Sequence, residues 1–310
     1  VAFIIFNRPQ YASRVFEAIR KARPPLLLVI ADGPREGHRE DREGCRLSRA
    51  LIDRVDWDCE VRKNYSEINL GCGRRVASGI SWVFDQVEEA IILEDDCVPD
   101  ITFFQFCEEL LERYRTDQRI GQIGGVNYQS ARGGMKHSYY FSRHPYIWGW
   151  ASWRRAWEGY DFNMELWPLL RERGWLAHLF EDKGTVRYYT FNFDKTHQRI
   201  IDTWDYQWFF HCWVNNRLSI LPELNLVSNI GYDYVYATHT RMKSRLANVP
   251  VEPISFPLVH PPFVMRDLVA DRVNEAATRY GLLSPIYLIY QKQKWMERVG
   301  WFRSRGGEKR

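Results

Sequence analysis

Over its first 120 residues the chain alternates short apolar runs with amphipathic stretches, and few folds accept that pattern. Val1 to Phe6 is long enough for a buried strand and is broken by Asn7-Arg8-Pro9. Residues 11–22 carry Val15, Phe16 and Ile19 at helical spacing. Leu26 to Ala31 predicts a second buried strand, ended by the turn-former Asp32-Gly33-Pro34. Residues 35–55 are charged and read as mostly helical, and residues 58–62 as a third strand. Residues 74–89 place Val76, Ile80, Val83, Phe84 and Val87 on one helix face. Ile91-Ile92-Leu93 predicts a strand running into Glu94-Asp95-Asp96. Phe103, Phe106, Cys107, Leu110, Leu111 and Tyr114 then form another helical stripe. Strands alternating with helices of this length predict βαβ units, and so an α/β fold with a mainly parallel, Rossmann-like central sheet flanked by helices.

The bulk properties narrow the function classes. With 43 Lys+Arg against 39 Asp+Glu, the net charge of +4 lacks the basic excess of a dedicated nucleic-acid binder. No apolar run is long enough to span a membrane. The six cysteines show no CxxC spacing, so they read as reduced thiols and not as a zinc site or a disulfide framework. Val1 opens directly into an apolar run without a charged leader, so no signal peptide is expected and the reading is cytoplasmic. The missing initiator Met suggests trimming or a longer chain.

In an open parallel sheet, ligands bind beyond the carboxyl ends of the strands. Asn7-Arg8, Asp32-Gly33 and Glu94-Asp95-Asp96 all fall there. Three consecutive acids after a buried strand repel one another; they read either as a solvated acidic turn or, given the strand-end setting, as a set that a hard divalent cation shared with substrate phosphates would balance. Asp32 has two readings, a ribose or base acceptor and a turn-former before Gly33. Arg8 likewise faces a nucleotide or caps a neighbour.

Asn69-Leu70-Gly71, Ala77-Ser78-Gly79-Ile80, Ile92-Leu93-Glu94-Asp95-Asp96, Pro99-Asp100 and Phe103-Phe104, in that order, resemble the donor-binding half of GT-A glycosyltransferases. The likeness is to family 2-like nucleotide-diphospho-sugar transferases and, more distantly, to N-acetylglucosaminyltransferase I. It covers residues 1 to about 110 well and the second half more loosely, through Ile147-Trp148-Gly149-Trp150, Trp204-Asp205 and a distal His. The resemblance implies a GT-A fold, with Asp96 ligating Mn2+ or Mg2+ and His239 as a late metal or diphosphate ligand. It implies donor contacts from Arg8, Asp32, Gly71, Glu94 and Asp95. It places the catalytic base of an inverting enzyme at Asp205, with Asp202 as second choice. The chain departs from the usual DxD by reading EDD, the form of the N-acetylglucosaminyltransferase I branch.

Only Trp57 and Trp82 of the 13 tryptophans precede residue 120; the other eleven follow it. Trp148, Gly149, Trp150 and Trp204 are therefore candidates for the acceptor surface, whereas Trp153 and Trp157, at helical spacing from Trp150, read as packing. Asp205 also has a plainer reading, as a cap on the helix after it. His137, His144, His178, His197 and His211 form no metal-ligand pattern and read as surface or satisfied core residues.

No Pro/Gly/Ser linker separates the halves, so we divide the chain by role: a donor half over 1–120, an acceptor and catalytic half over 121–265, and a C-terminal helical, basic-aromatic tail over 266–310. From residue 286 the tail has seven Lys/Arg against two Glu, with Leu288, Trp295, Val299 and Phe302 on one potential face. It suits either a solvated helix or peripheral contact with an anionic membrane surface. The expected activity is transfer of N-acetylglucosamine or a hexose from a UDP-sugar to a glycan or lipid-linked acceptor. Two rival readings are a nucleotidyltransferase acting on sugar phosphates and a non-catalytic carbohydrate- or nucleotide-binding protein. The first expects a Gly-rich phosphate loop where Asn7-Arg8-Pro9 stands, and the second has no need of the acidic triplet.

Overall fold

The computed structural model describes residues 1–129, 136–231 and 248–280. Strands β1 (Ala2–Ile5), β2 (Leu26–Ala31), β3 (Glu60–Tyr65) and β4 (Glu89–Glu94) alternate with helices α1 (Pro9–Ala22), α2 (Arg39–Ala50) and α3 (Cys72–Gln86). The four strands pair in parallel in the order β3-β2-β1-β4. β1 and β2 are buried on both faces, which is why they read as unbroken apolar runs. Pro9 opens α1, where its missing N–H costs nothing and its fixed φ suits the helix.

β5 (Cys97–Pro99) and α4 (Thr102–Arg113) follow, then β6 (Ile120–Gly124), β7 (Tyr139–Ser142) and β8 (Trp150–Trp153). α5 (Arg154–Trp157), α6 (Trp167–Glu172), α7 (Leu176–Leu179), α8 (Lys183–His197) and α9 (Asp205–Val214) lead to β9 (Leu218–Pro222) and β10 (Val227–Asn229), and α10 (Leu268–Tyr280) closes the described chain. The sheet continues as β4-β8-β6-β9-β7, giving eight strands. Among the described strands, β8 and β7 run against the others, through antiparallel pairing to β4, β6 and β9. The α/β architecture with a mostly parallel, helix-flanked sheet is therefore present. Strands from before and after residue 120 share that one sheet, so the donor and acceptor halves are a division of roles within it.

The second half differs from expectation in its local structure. Trp150, Trp153 and Trp157 do not share a helix: the first two begin and end β8, and only Arg154–Trp157 is helical. β8 is buried along its whole length, so it shows no polar alternation to betray a strand. Trp150 stacks on Trp204 at 5.7 Å and lies 5.5 Å from Trp208. Trp157 lies 5.2 Å from Trp208. These rings form the core between the sheet and α9.

All six cysteines are free thiols. Among the described residues no helix is long and apolar enough to cross a membrane. The tail residues Leu288, Trp295, Val299 and Phe302 lie outside the described residues.

Candidate functional site

The parallel register of β1, β2 and β4 sets their carboxyl ends on one edge, with Ile5 opposite Ala31 and Ile4 opposite Glu94. The three polar clusters that follow these strands thus meet there. Arg8, at the N-cap of α1, sends one guanidinium nitrogen to both Asp95 and Asp96, at 2.9 Å from Asp96 Oδ2. The Phe6 N–H also donates to Asp95 Oδ2. Burial alone would lower the Arg8 pKa, but the charges and hydrogen bonds of Asp95 and Asp96 outweigh it and hold the group well above its usual value. Burial pushes Asp95 up despite Arg8. Glu94 is pushed well above the carboxylate range by burial first, then by Asp96, Asp95 and Asp205.

Asp96 is fixed from its other side by β10, which pairs antiparallel with β5. Ile230 N donates to the Asp96 carbonyl at 2.9 Å, and Asn229 Nδ2 approaches Asp96 Oδ1 at 3.4 Å. Gly231 packs so closely that a Cβ there would lie 2.0 Å from Asp96 Oδ2.

Asp32 is turned toward the chain. Its carboxylate accepts from Gly33 N at 2.9 Å, Leu70 N at 2.9 Å, Gly71 N at 3.2 Å and Asn69 Nδ2 at 3.0 Å. Burial pushes its pKa up, while those backbone donors oppose the shift. Any part it takes toward a nucleoside would therefore run through the shape of the 69–71 loop. Gly71 has φ 79° at the N-cap of α3, and a Cβ there would come 2.6 Å from Asp202 Oδ2. Only glycine suits both conditions.

Asp202 links the two halves. Its Oδ1 accepts from Gly73 N at 3.1 Å, in the first turn of α3. The segment it anchors continues to Asp205, the first residue of α9. Asp205 Oδ1 accepts from Tyr206 N at 2.8 Å and from the Thr203 hydroxyl. The cap expected of Asp205 is not formed: the N-cap of α9 is Trp204, with no side-chain cap hydrogen bond, and Asp205 is the first helical residue. Cys72, which the sequence did not single out, sits among these acids. Burial raises its thiol pKa first, followed by Glu94, Asp205 and Asp202. Tyr160, Tyr188 and Tyr206 flank Asp205 as well: burial raises each phenol, and the Asp205 charge raises it further. Cys72 and these tyrosines join the site only through the fold, because none lies in a motif or a periodic stripe.

The candidate acceptor residues divide. Trp148 is half-buried, edge-on to Tyr128 at 5.7 Å. It precedes β8 at the same edge, since Trp150 pairs with Ile92 two residues before Glu94. Gly149 has φ 64°, and a Cβ there would come 2.7 Å from Val227. Trp150 and Trp204 are only 0% and 2% exposed, so their rings belong to the core and reach a ligand only by positioning Trp148 and Asp205.

Among the described residues no group of three or more His, Cys, Asp or Glu side chains converges as a metal cage. His239 lies outside the described residues. A Mg2+- or Mn2+-type ion needs only one or two carboxylates plus substrate phosphates and water. Asp96, with Asp95 and Glu94 behind it, fits that requirement, and Arg8 now sits on two of the three. The arrangement can hold a cation beside a polyanion and present a second carboxylate, Asp205, across the same edge. A scan against models of known protein families finds no match, and no curated protein matches the chain.

Proposed function

We propose that the chain is a GT-A glycosyltransferase that moves a sugar from a UDP-sugar to a glycan or lipid-linked acceptor with inversion. One observation supports this most: Arg8 bonds both Asp95 and Asp96 at the strand ends, and Asp202 ties the turn that carries Asp205 to the start of α3. Two sets of carboxylates with different surroundings, one beside a bound cation and one toward an acceptor, are what the reaction needs.

In this reading Asp96 holds Mn2+ or Mg2+, with Asp95 and Glu94 toward the nucleoside side. The bound cation supplies charge neutralisation for the departing diphosphate. The acceptor oxygen bonds to the anomeric carbon as the carbon–phosphate-oxygen bond breaks. That bond's electron pair leaves with UDP, and the acceptor's proton passes to the Asp205 carboxylate. Thr203 and Tyr206 hold Asp205 Oδ1 and so fix its orientation. Trp148, half-buried at the same edge, faces the acceptor, and buried Gly149 sets its position.

UDP should raise the melting temperature more with Mn2+ than without it, and Asp96→Ala should remove the difference. Equal stabilisation with and without metal, unchanged in Asp96→Ala, would refute the donor site.

A further inference from the structure

We infer that Arg8 and the divalent cation are alternative counter-ions of Asp96, and that an incoming diphosphate moves Arg8 off the acid. This rests on the donor-site reading above and adds an order of events to it. The guanidinium lies 2.9 Å from Asp96 Oδ2 and bonds Asp95 as well. It therefore occupies carboxylate oxygens that a cation would use. Two cations on one carboxylate repel each other, so each weakens the other's hold on Asp96.

The acid is poorly placed to move. Asn229 Nδ2 lies 3.4 Å from its Oδ1, Ile230 N holds the Asp96 backbone carbonyl, and Gly231 closes the space beside Oδ2. Arg8 has the longer side chain of the two: it leaves the N-cap of α1, lies 5.5 Å from the Tyr11 ring and is 18% exposed. A diphosphate offers the same planar guanidinium a pair of anionic oxygens to bond, with equal or higher charge. Metal and nucleotide should then help each other bind, and linkage makes that help reciprocal.

The test measures Mn2+ affinity of the nucleotide-free chain by electron paramagnetic resonance, and UDP affinity with and without Mn2+. It compares wild type, Arg8→Gln and Arg8→Lys, each checked for fold by circular dichroism. Arg8→Gln should bind Mn2+ alone at least about tenfold more tightly than wild type. Its UDP affinity should gain correspondingly less from Mn2+. Arg8→Lys, which keeps the charge without the fork, should fall between them and covers the case of a misfolded glutamine variant. If both folded variants bind Mn2+ alone no better than wild type while UDP and Mn2+ still bind cooperatively, the exchange is wrong and the donor site stands. If wild type gains no UDP affinity from Mn2+, the donor reading and the exchange fail together.

Discussion

Asp202 and Asp205 are three residues apart, yet their surroundings give them different work. Asp202 accepts from Gly73 N across 129 residues of sequence and ties α9's approach to the start of α3. Asp205 lies near enough to Tyr160, Tyr188 and Tyr206 for its charge to raise their pKa values beyond what burial does, and one of its oxygens is oriented by Thr203. Asp205→Asn should therefore cut transfer by about 10²–10⁴-fold, the usual worth of a general base, with UDP affinity kept. Asp202→Ala should instead lower stability by about 1 kcal/mol, as loss of a helix-terminal acceptor does. Transfer rates and thermal melts of the two variants check this, and near-normal transfer by Asp205→Asn would move the base elsewhere. The sequence put Asp205 first and Asp202 second through the resemblance alone, without showing what either acid touches. The Asp202–Gly73 contact joins positions far apart, and no local spacing encodes it. Asp32 shows the converse: its place at a strand end was legible, but the loop that takes up its oxygens was not.

Helix α9 carries the site at one end and a buried histidine near the other. His211 stacks on Trp208 at 5.5 Å and contacts the Ala156 carbonyl at 3.1 Å. Burial, then the Arg217 charge, lowers its pKa from 6.5 to about 4. The unfolded chain takes up this proton below pH 6.5 while the folded chain resists until about 4, so stability falls as pH drops through that window. The full loss is on the order of 3 kcal/mol at 1.36 kcal/mol per unit. His211→Gln should flatten the pH dependence of the melting temperature between those limits, whatever it costs in packing. A wild-type-like slope would contradict this. Elements differ in how openly they show themselves. β2 was legible to the residue because a strand buried on both faces is a continuous apolar run. β6 holds Gly121, Gln122 and Gly124, with Gln122 buried against the Tyr146 carbonyl and Trp208, so its pattern resembles a loop.

At the scale of the whole molecule, the tryptophan excess turns out to be mainly structural. Trp150, Trp157, Trp204 and Trp208 join the β8 side of the sheet to α9, which begins at Asp205. Trp150→Ala should cost about 3–5 kcal/mol, the range for emptying a large buried ring, and calorimetric or denaturant unfolding measures it. A loss below about 1 kcal/mol would mean the cluster does not bind the two layers together. The α/β class was readable because strand–helix alternation is a property of long stretches, whereas the antiparallel insertion of β8 depends on pairing between distant segments. The same indoles have an optical consequence. Trp204 is stacked on Trp150 at an interplanar angle of 21° and adjoins Asp205. Two indoles this close couple their electronic transitions and give a paired circular-dichroism signal that single indoles lack. A ligand that shifts the Asp205 turn would change that signal, so the protein carries its own chromophore pair one residue from the proposed base.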